Sequence, residues 1–186
     1  MILRERSPRA TAVVTSVVSP EGRWQRFLYR LWGGTVLGIF GARGQVVGAE
    51  HLDPAGHYVI VSNHLSLVDT PVMFRWLPIP FKFLAKRELL KVPFIGWYLN
   101  RARHLTVDRA SLRSSIASMN ECARLIRDRR LSVLIFAEGT RSLTGEMQSF
   151  KDGTAYLAIQ SGTPVAPVAL VGTWDILPAK SSYFMP

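Results

Sequence analysis

Five short apolar runs, separated by segments of helical period, constrain this chain more than any other feature. Tyr58–Val61, Phe81–Ala85, Leu105–Val107, Leu131–Phe136 and Val165–Val171 each have the length and composition of a buried strand. Between them, Val72–Leu77 reads as a helix closed by Pro78 and Pro80, and Glu88–Asn100 as a helix interrupted near Pro93. Leu112, Ile116, Met119, Ala123 and Ile126 mark one face of a further helix, and Lys151–Gln160 is a short one. Strand–helix alternation predicts an α/β single domain, a mixed and largely parallel sheet flanked by helices. Gln45–Glu50 reads as an edge strand, Asp53–Gly56 as a turn and Ala137–Phe150 as a polar loop.

The 186 residues suffice for one domain with its own core. With 48% hydrophobic and 19% charged residues the chain is not a disordered one. The 23 Lys and Arg exceed the 13 Asp and Glu, for a formal charge of +10. Such a surface attracts polyanions: nucleic acid, anionic lipid headgroups or phosphorylated substrates. The single cysteine, Cys122, excludes an internal disulfide and reads as a small apolar residue on a packed helix face. No segment has the roughly 20 apolar residues of a spanning helix. Residues 1–22 carry Arg4, Arg6 and Arg9 and read as a basic mobile tail. In residues 23–44, Trp24, Phe27, Leu28, Leu31, Trp32, Val36, Leu37 and Phe40 recur at largely helical spacing among Arg23, Arg26 and Arg30. That amphipathic pattern suits a membrane-interface helix and equally a helix packed on the core, two compatible readings. Gly33-Gly34 weakens the helix in either case.

Asn63-His64-Leu65-Ser66-Leu67-Val68-Asp69 sits between a strand and a helix. Across such a turn Asp69 can hold one ring nitrogen of His64 while the other faces a substrate, a general base with its orienter. The same residues fit a plainer reading, with Ser66-x-x-Asp69 as a capping box or Asp69 as N-cap before Pro71. The second constellation, Phe136-Ala137-Glu138-Gly139-Thr140-Arg141-Ser142, follows a buried strand, where open α/β sheets place their sites. Gly139 permits close backbone approach, Thr140 and Ser142 offer hydroxyls, and Arg141 can grip a phosphate. Alone, this stretch is equally a surface turn with a Glu–Arg pair.

Together the two motifs resemble those of the glycerolipid acyltransferase family. Ala85-Lys86-Arg87-Glu88-Leu89 through Pro93-Phe94-Ile95-Gly96-Trp97 and Val107-Asp108-Arg109 is similar to the family's second block. Phe150-Lys151-x-Gly153 and Val165-Ala166-Pro167-Val168 resemble the approach to its fourth. The resemblance covers about residues 45–175, read here as the acyltransferase domain within 45–186. The family usually has Pro where Ala137 stands and Gly where Arg103 stands; it also usually continues beyond the fourth block, whereas this chain stops at Pro186, short or truncated by that pattern.

The resemblance implies transfer of a fatty acyl group from a thioester, acyl-CoA or acyl-carrier protein, to the free hydroxyl of lysophosphatidate. A hydroxyl is a poor nucleophile at neutral pH, which is why such chemistry needs a positioned base. The implied roles are His64 as base and Asp69 as orienter. Lys86, Arg87, Arg109, Glu138, Gly139, Thr140 and Arg141 would bind substrate, with Asn63, Ser66 and Ser142 in support. No metal or other cofactor is expected, since His51, His57 and His104 lack ligand spacing and read as structural or surface residues. An anionic membrane surface is the expected partner, and a peripheral or monotopic place on the cytoplasmic face the expected location. Three rivals stand beside this reading: a sister enzyme using glycerol 3-phosphate or a lyso-aminolipid, a catalytically silent membrane-binding relative, and a nucleic-acid module. The last has the charge but no helix-turn-helix, zinc or aromatic RNA-binding signature.

Overall fold

The computed structural model describes residues 23–93 and 95–178. The basic tail, Phe94 and the last eight residues lie outside the described residues, as do the side chains of Arg23 and Trp24. In chain order the helices are α1 (Arg23–Ile39), α2 (Asp69–Trp76), α3 (Ile95–Arg101), α4 (Leu112–Arg129), α5 (Gly153–Ser161) and α6 (Thr173–Ile176). The strands are β1 (Val59–Ser62), β2 (Lys82–Lys86), β3 (Leu105–Val107), β4 (Val133–Phe136) and β5 (Val165–Val168). Short 3₁₀ turns occupy Ala49–His51 and Arg87–Lys91.

All five strands are parallel, in the order β3-β2-β4-β1-β5. Strand alternation divides the core. Val59, Val133 and Ile135 face Met119, Cys122, Ala123 and Ile126 of α4 and Leu157 of α5. Ile60, Leu134 and Ala166 face Met73 and Phe74 of α2, with Tyr29 of α1 packed against that layer. A sheet buried on both faces needs apolar residues at consecutive positions, so these strands read as runs and not as alternations. Every expected strand from Tyr58 onward forms, within a few residues of its expected limits.

The expected strand at Gln45–Glu50 does not form. The segment is irregular and then enters a 3₁₀ turn at Ala49, after Gly48 turns the chain in the left-handed region. The sheet ends at β3 and β5, and this segment pairs with neither. The glycine pair does not interrupt α1 either. A Cβ on Gly33 would lie 2.6 Å from the Pro71 carbonyl oxygen, so the glycine allows α1 to close on α2.

Both departures from the family pattern have structural consequences. Arg103 adopts φ 52° just after α3, the left-handed position at which glycine is free of strain. Ala137 donates its N–H to Ser62 O at 3.0 Å, a bond that a proline there would lack.

Candidate active site

Because β1 and β4 are parallel neighbours with Ser62 opposite Phe136, the loops leaving them lie side by side. This brings together two motifs 74 residues apart at the carboxyl end of the sheet. Asn63 ties β1 to the end of β5. Its amide donates to Leu170 O at 2.9 Å and its carbonyl accepts from Leu170 N at 2.8 Å.

His64 and Asp69 meet as the spacing requires. Nδ1 of His64 lies 2.7 Å from Oδ2 of Asp69. The same carboxylate oxygen accepts the N–H groups of Leu65 and Ser66, each at 2.8 Å, and the Asp69 side chain is fully buried. The His64 side chain is 18% exposed, and its Nε2 makes no hydrogen bond among the described residues. Its ring stacks on Phe136, centroids 3.8 Å apart and planes 10° from parallel. Ser66 is buried; its Oγ accepts from Val68 N at 3.1 Å and donates to Leu177 O. The plainer reading is not realised as a capping box: the N-cap of α2 is Val68, without a side-chain cap bond, and Ser66 accepts from Val68 N while its own N–H helps hold the Asp69 carboxylate. Asp69 itself is the first residue of α2 and not its N-cap.

The second motif wraps the first. Glu138 is 1% exposed. One carboxylate oxygen accepts from His64 N at 2.9 Å, the other from Gln148 N at 3.1 Å. Its place in the substrate-binding set is corrected: the carboxylate is committed to two backbone amides and acts as a brace. No ion pair with Arg141 forms among the described residues. Ser142 N donates to His64 O at 2.9 Å, and the buried Ser142 hydroxyl accepts from Thr144 and Gly145, a supporting role. Gly139 has φ 75° and lies against Arg109, whose guanidinium donates to Gly139 O at 3.2 Å. Thr140 is exposed and Arg141 half-buried on the same loop.

Lys86 and Arg87 leave β2 at the same end of the sheet but are engaged with carboxylates, Lys86 with Glu88 at 3.4 Å and Arg87 with Asp108 at 3.1 Å. Arg109 and Arg141 make no such pair among the described residues, which leaves their charge available. Two residues inside the quoted motifs make contacts at the site that sequence reasoning did not assign. Phe136 gives His64 its stacking partner, signalled only by an aromatic at the end of a strand. Lys151 brings a further cation beside Gly139, its Cγ 3.6 Å from where a Cβ on that glycine would stand. Among the described residues, no group of three or more His, Cys, Asp or Glu is placed to hold a metal ion.

The family model described as Acyltransferase matches residues 43–171, the greater part of the chain and both motifs. The chain belongs to the acyltransferase family. Among its relatives is a protein of Limnanthes douglasii named 1-acyl-sn-glycerol-3-phosphate acyltransferase, 37% identical over 141 residues, 76% of this chain and 50% of that protein. The human 1-acyl-sn-glycerol-3-phosphate acyltransferase alpha is 35% identical over 146 residues, covering 78% of this chain and 52% of its own length. The chain thus spans about half the length of the curated relatives it matches. The acyltransferase fold is also that of a solved structure, the 1-acyl-sn-glycerophosphate (LPA) acyltransferase PlsC of Thermotoga maritima. It has a TM-score of 0.73 at 25% identity, covering 88% of this chain and 65% of that one.

Proposed function

We propose that this acyltransferase-family chain transfers a fatty acyl group from a thioester to the free hydroxyl of lysophosphatidate, giving phosphatidate, with His64 as general base. The observation that carries the reading is the 2.7 Å His64–Asp69 contact, which leaves Nε2 as the ring nitrogen without a hydrogen bond among the described residues. With Nδ1–H donating to Asp69, Nε2 is the lone-pair nitrogen. It takes the hydroxyl proton as the acceptor oxygen attacks the thioester carbonyl carbon. The carbon–sulfur bond then breaks, and the thiolate leaves with the proton returned by the imidazolium. Asp69 and the Phe136 ring face stabilise the transient positive charge. Ser66 is buried and doubly hydrogen-bonded, so transfer is direct, without an acyl-enzyme. Arg109, Arg141 and Lys151 hold the acceptor phosphate, with Thr140 and the Gly139 backbone at its edge. The thioester, of coenzyme A or acyl-carrier protein, is a co-substrate, and the reaction as written calls on no metal.

Substrate of this kind lives in a bilayer. The outer face of α1 presents Leu31, Trp32 and Ile39. That face docks on the anionic cytoplasmic surface of a membrane, peripherally.

The test offers lysophosphatidate, glycerol 3-phosphate and a lyso-aminolipid to the purified chain, with both thioesters, read by mass spectrometry of the lipid product. Phosphatidate is the expected product. His64→Ala should lower the rate by about 10²–10⁴, and Asp69→Asn should lower it through lost orientation. Arg141→Ala should raise KM for the acceptor more than for the donor. Retained activity in His64→Ala would remove the mechanism, and a preference for another acceptor would reassign the substrate.

A further inference from the structure

The opposite end of the sheet holds a cavity of about 440 Å³ that the reaction above does not use. It opens where the chain enters β1, β2 and β4, beneath the first turns of α1. Its volume falls in the range of small-molecule sites, roughly 300–1,000 Å³. Two properties set it apart from a crevice between loops. The first is charge: Arg26, Lys82, Arg129 and Arg130 line it, and no carboxylate does. Arg26, Arg129 and Arg130 form no ion pair among the described residues, although Glu121 lies within electrostatic reach of Arg129. Lys82 is buried, and its ammonium donates to Ala102 O at 2.8 Å. The second is an apolar lining that includes Phe74 and Leu77.

The end of α4 does not oppose an anion here. Arg130 N donates to Arg127 O and Leu131 N to Ile126 O, so terminal carbonyls are satisfied within the chain. The nearest acid on the β1 side, Asp53, turns its carboxylate onto Ala55 N at 2.9 Å.

We infer that this cavity binds an anionic amphiphile, its phosphate or carboxylate headgroup between Arg26, Arg129 and Arg130 and the first methylenes of its tail against Phe74 and Leu77. Arg26, Arg129 and Arg130, without carboxylate partners among the described residues, share the cavity with an apolar wall: a bare anion leaves the wall wet, and a neutral tail leaves the charges uncompensated. The site is separate from the one at His64, with the length of the sheet between them.

The experiment is a titration of the full chain, isotopically labelled, followed by amide NMR. The probes are dodecyl phosphate below its micelle concentration, inorganic phosphate, and dodecyl maltoside as a neutral amphiphile. Saturable shifts at Gly56, Leu131 and Ser132 are expected with dodecyl phosphate and much weaker ones with inorganic phosphate, which separates a lipid headgroup from free phosphate as the source. Amides of Gly139 to Arg141 report the other site independently, so a failure at one leaves the other readable. Arg129→Gln with Arg130→Gly, and separately Arg26→Gln, should each weaken the first set of shifts about tenfold or more without altering the second. Arg130 has φ 50°, so glycine there keeps the fold. The inference is overturned if Gly56, Leu131 and Ser132 do not respond, respond equally to dodecyl maltoside, or respond unchanged in both variants.

Discussion

Three N–H donors converge on one oxygen of Asp69, and two more on the oxygens of Glu138. Both acids work on the backbone around His64. A carboxylate that accepts from backbone amides is held more stiffly than one facing solvent, since turning away leaves buried donors unpaired. Glu138 therefore fixes the His64 turn to the loop ending near Gln148. Glu138→Gln keeps one carbonyl acceptor and turns an amide NH₂ toward another N–H. The loss should be about 1–3 kcal/mol, with faster hydrogen exchange at His64 and Gln148. Turnover should fall while KM for the acceptor holds. A rise in KM alone would return Glu138 to the substrate-binding set.

At the scale of elements, α3 and its neighbours carry two features with measurable consequences. Arg103 closes α3 in a left-handed conformation that costs a residue with a Cβ roughly 1–2 kcal/mol. Arg103→Gly should raise stability by about 1 kcal/mol, partly offset by glycine's freer unfolded chain, and leave acyl transfer unchanged. Chemical denaturation measures it, and a destabilised variant would show that the arginine side chain outweighs the backbone strain. The second feature is a buried polar chain. Phe83 N donates to Nδ1 of His104 at 2.9 Å, so Nε2 carries the proton and faces the Tyr98 hydroxyl at 3.1 Å. The Tyr98 ring stands edge-on to that of Tyr29, centroids 6.2 Å apart, and Tyr29 accepts from Gln25 at 2.6 Å. The chain links β2, α3 and α1. Burial, helped by the Lys82 charge, pushes the His104 imidazole down to about 3. The unfolded chain takes this proton near pH 6.5 and the folded chain does not. Stability from this residue is complete above about pH 6.5 and declines as pH falls toward 3, by about 1.4 kcal/mol per unit at most. Denaturation at about pH 7 and 5 should show a steeper acid loss for the native chain than for His104→Gln, and equal slopes would refute it.

For the molecule as a whole, α1 answers to two environments. Gly33 and Leu37 are buried against α2 and the core, and the Tyr29 ring stands 4.3 Å from that of Phe74. Leu31 is 53% exposed and Ile39 75%. Removing α1 would open the core, so its outer face has to be tested by substitution. Leu31→Gln with Ile39→Gln should reduce binding to anionic vesicles about tenfold or more, while transfer to a monomeric short-chain acceptor persists. Binding should also weaken as salt rises, given the +10 charge. Unchanged co-sedimentation would move the docking face to Ile95 and Trp97, which are exposed on α3. Among the described residues no helix is long and apolar enough to cross a membrane.

Local pattern alone determined the layer structure. Apolar runs at Tyr58, Phe81, Leu105 and Leu131 can only be strands covered on both faces, and the stripe from Leu112 to Ile126 can only lie on such a sheet. The burial of Cys122, with its thiol pushed up to about 11 by that burial, followed from the same patterns. So did the His64–Asp69 contact, because five residues across a strand–helix turn leave little freedom. Strand order was decided only in three dimensions. It depends on which loop crosses which face, and it makes β4 the neighbour of β1 so that Glu138 meets His64 N. A carboxylate beside an arginine in sequence looks like its partner or a ligand for substrate. Whether it turns inward depends on donors 74 residues away, and no local spacing carries that information. The same holds for Gln45–Glu50, which has the look of a strand and pairs with neither end of the sheet.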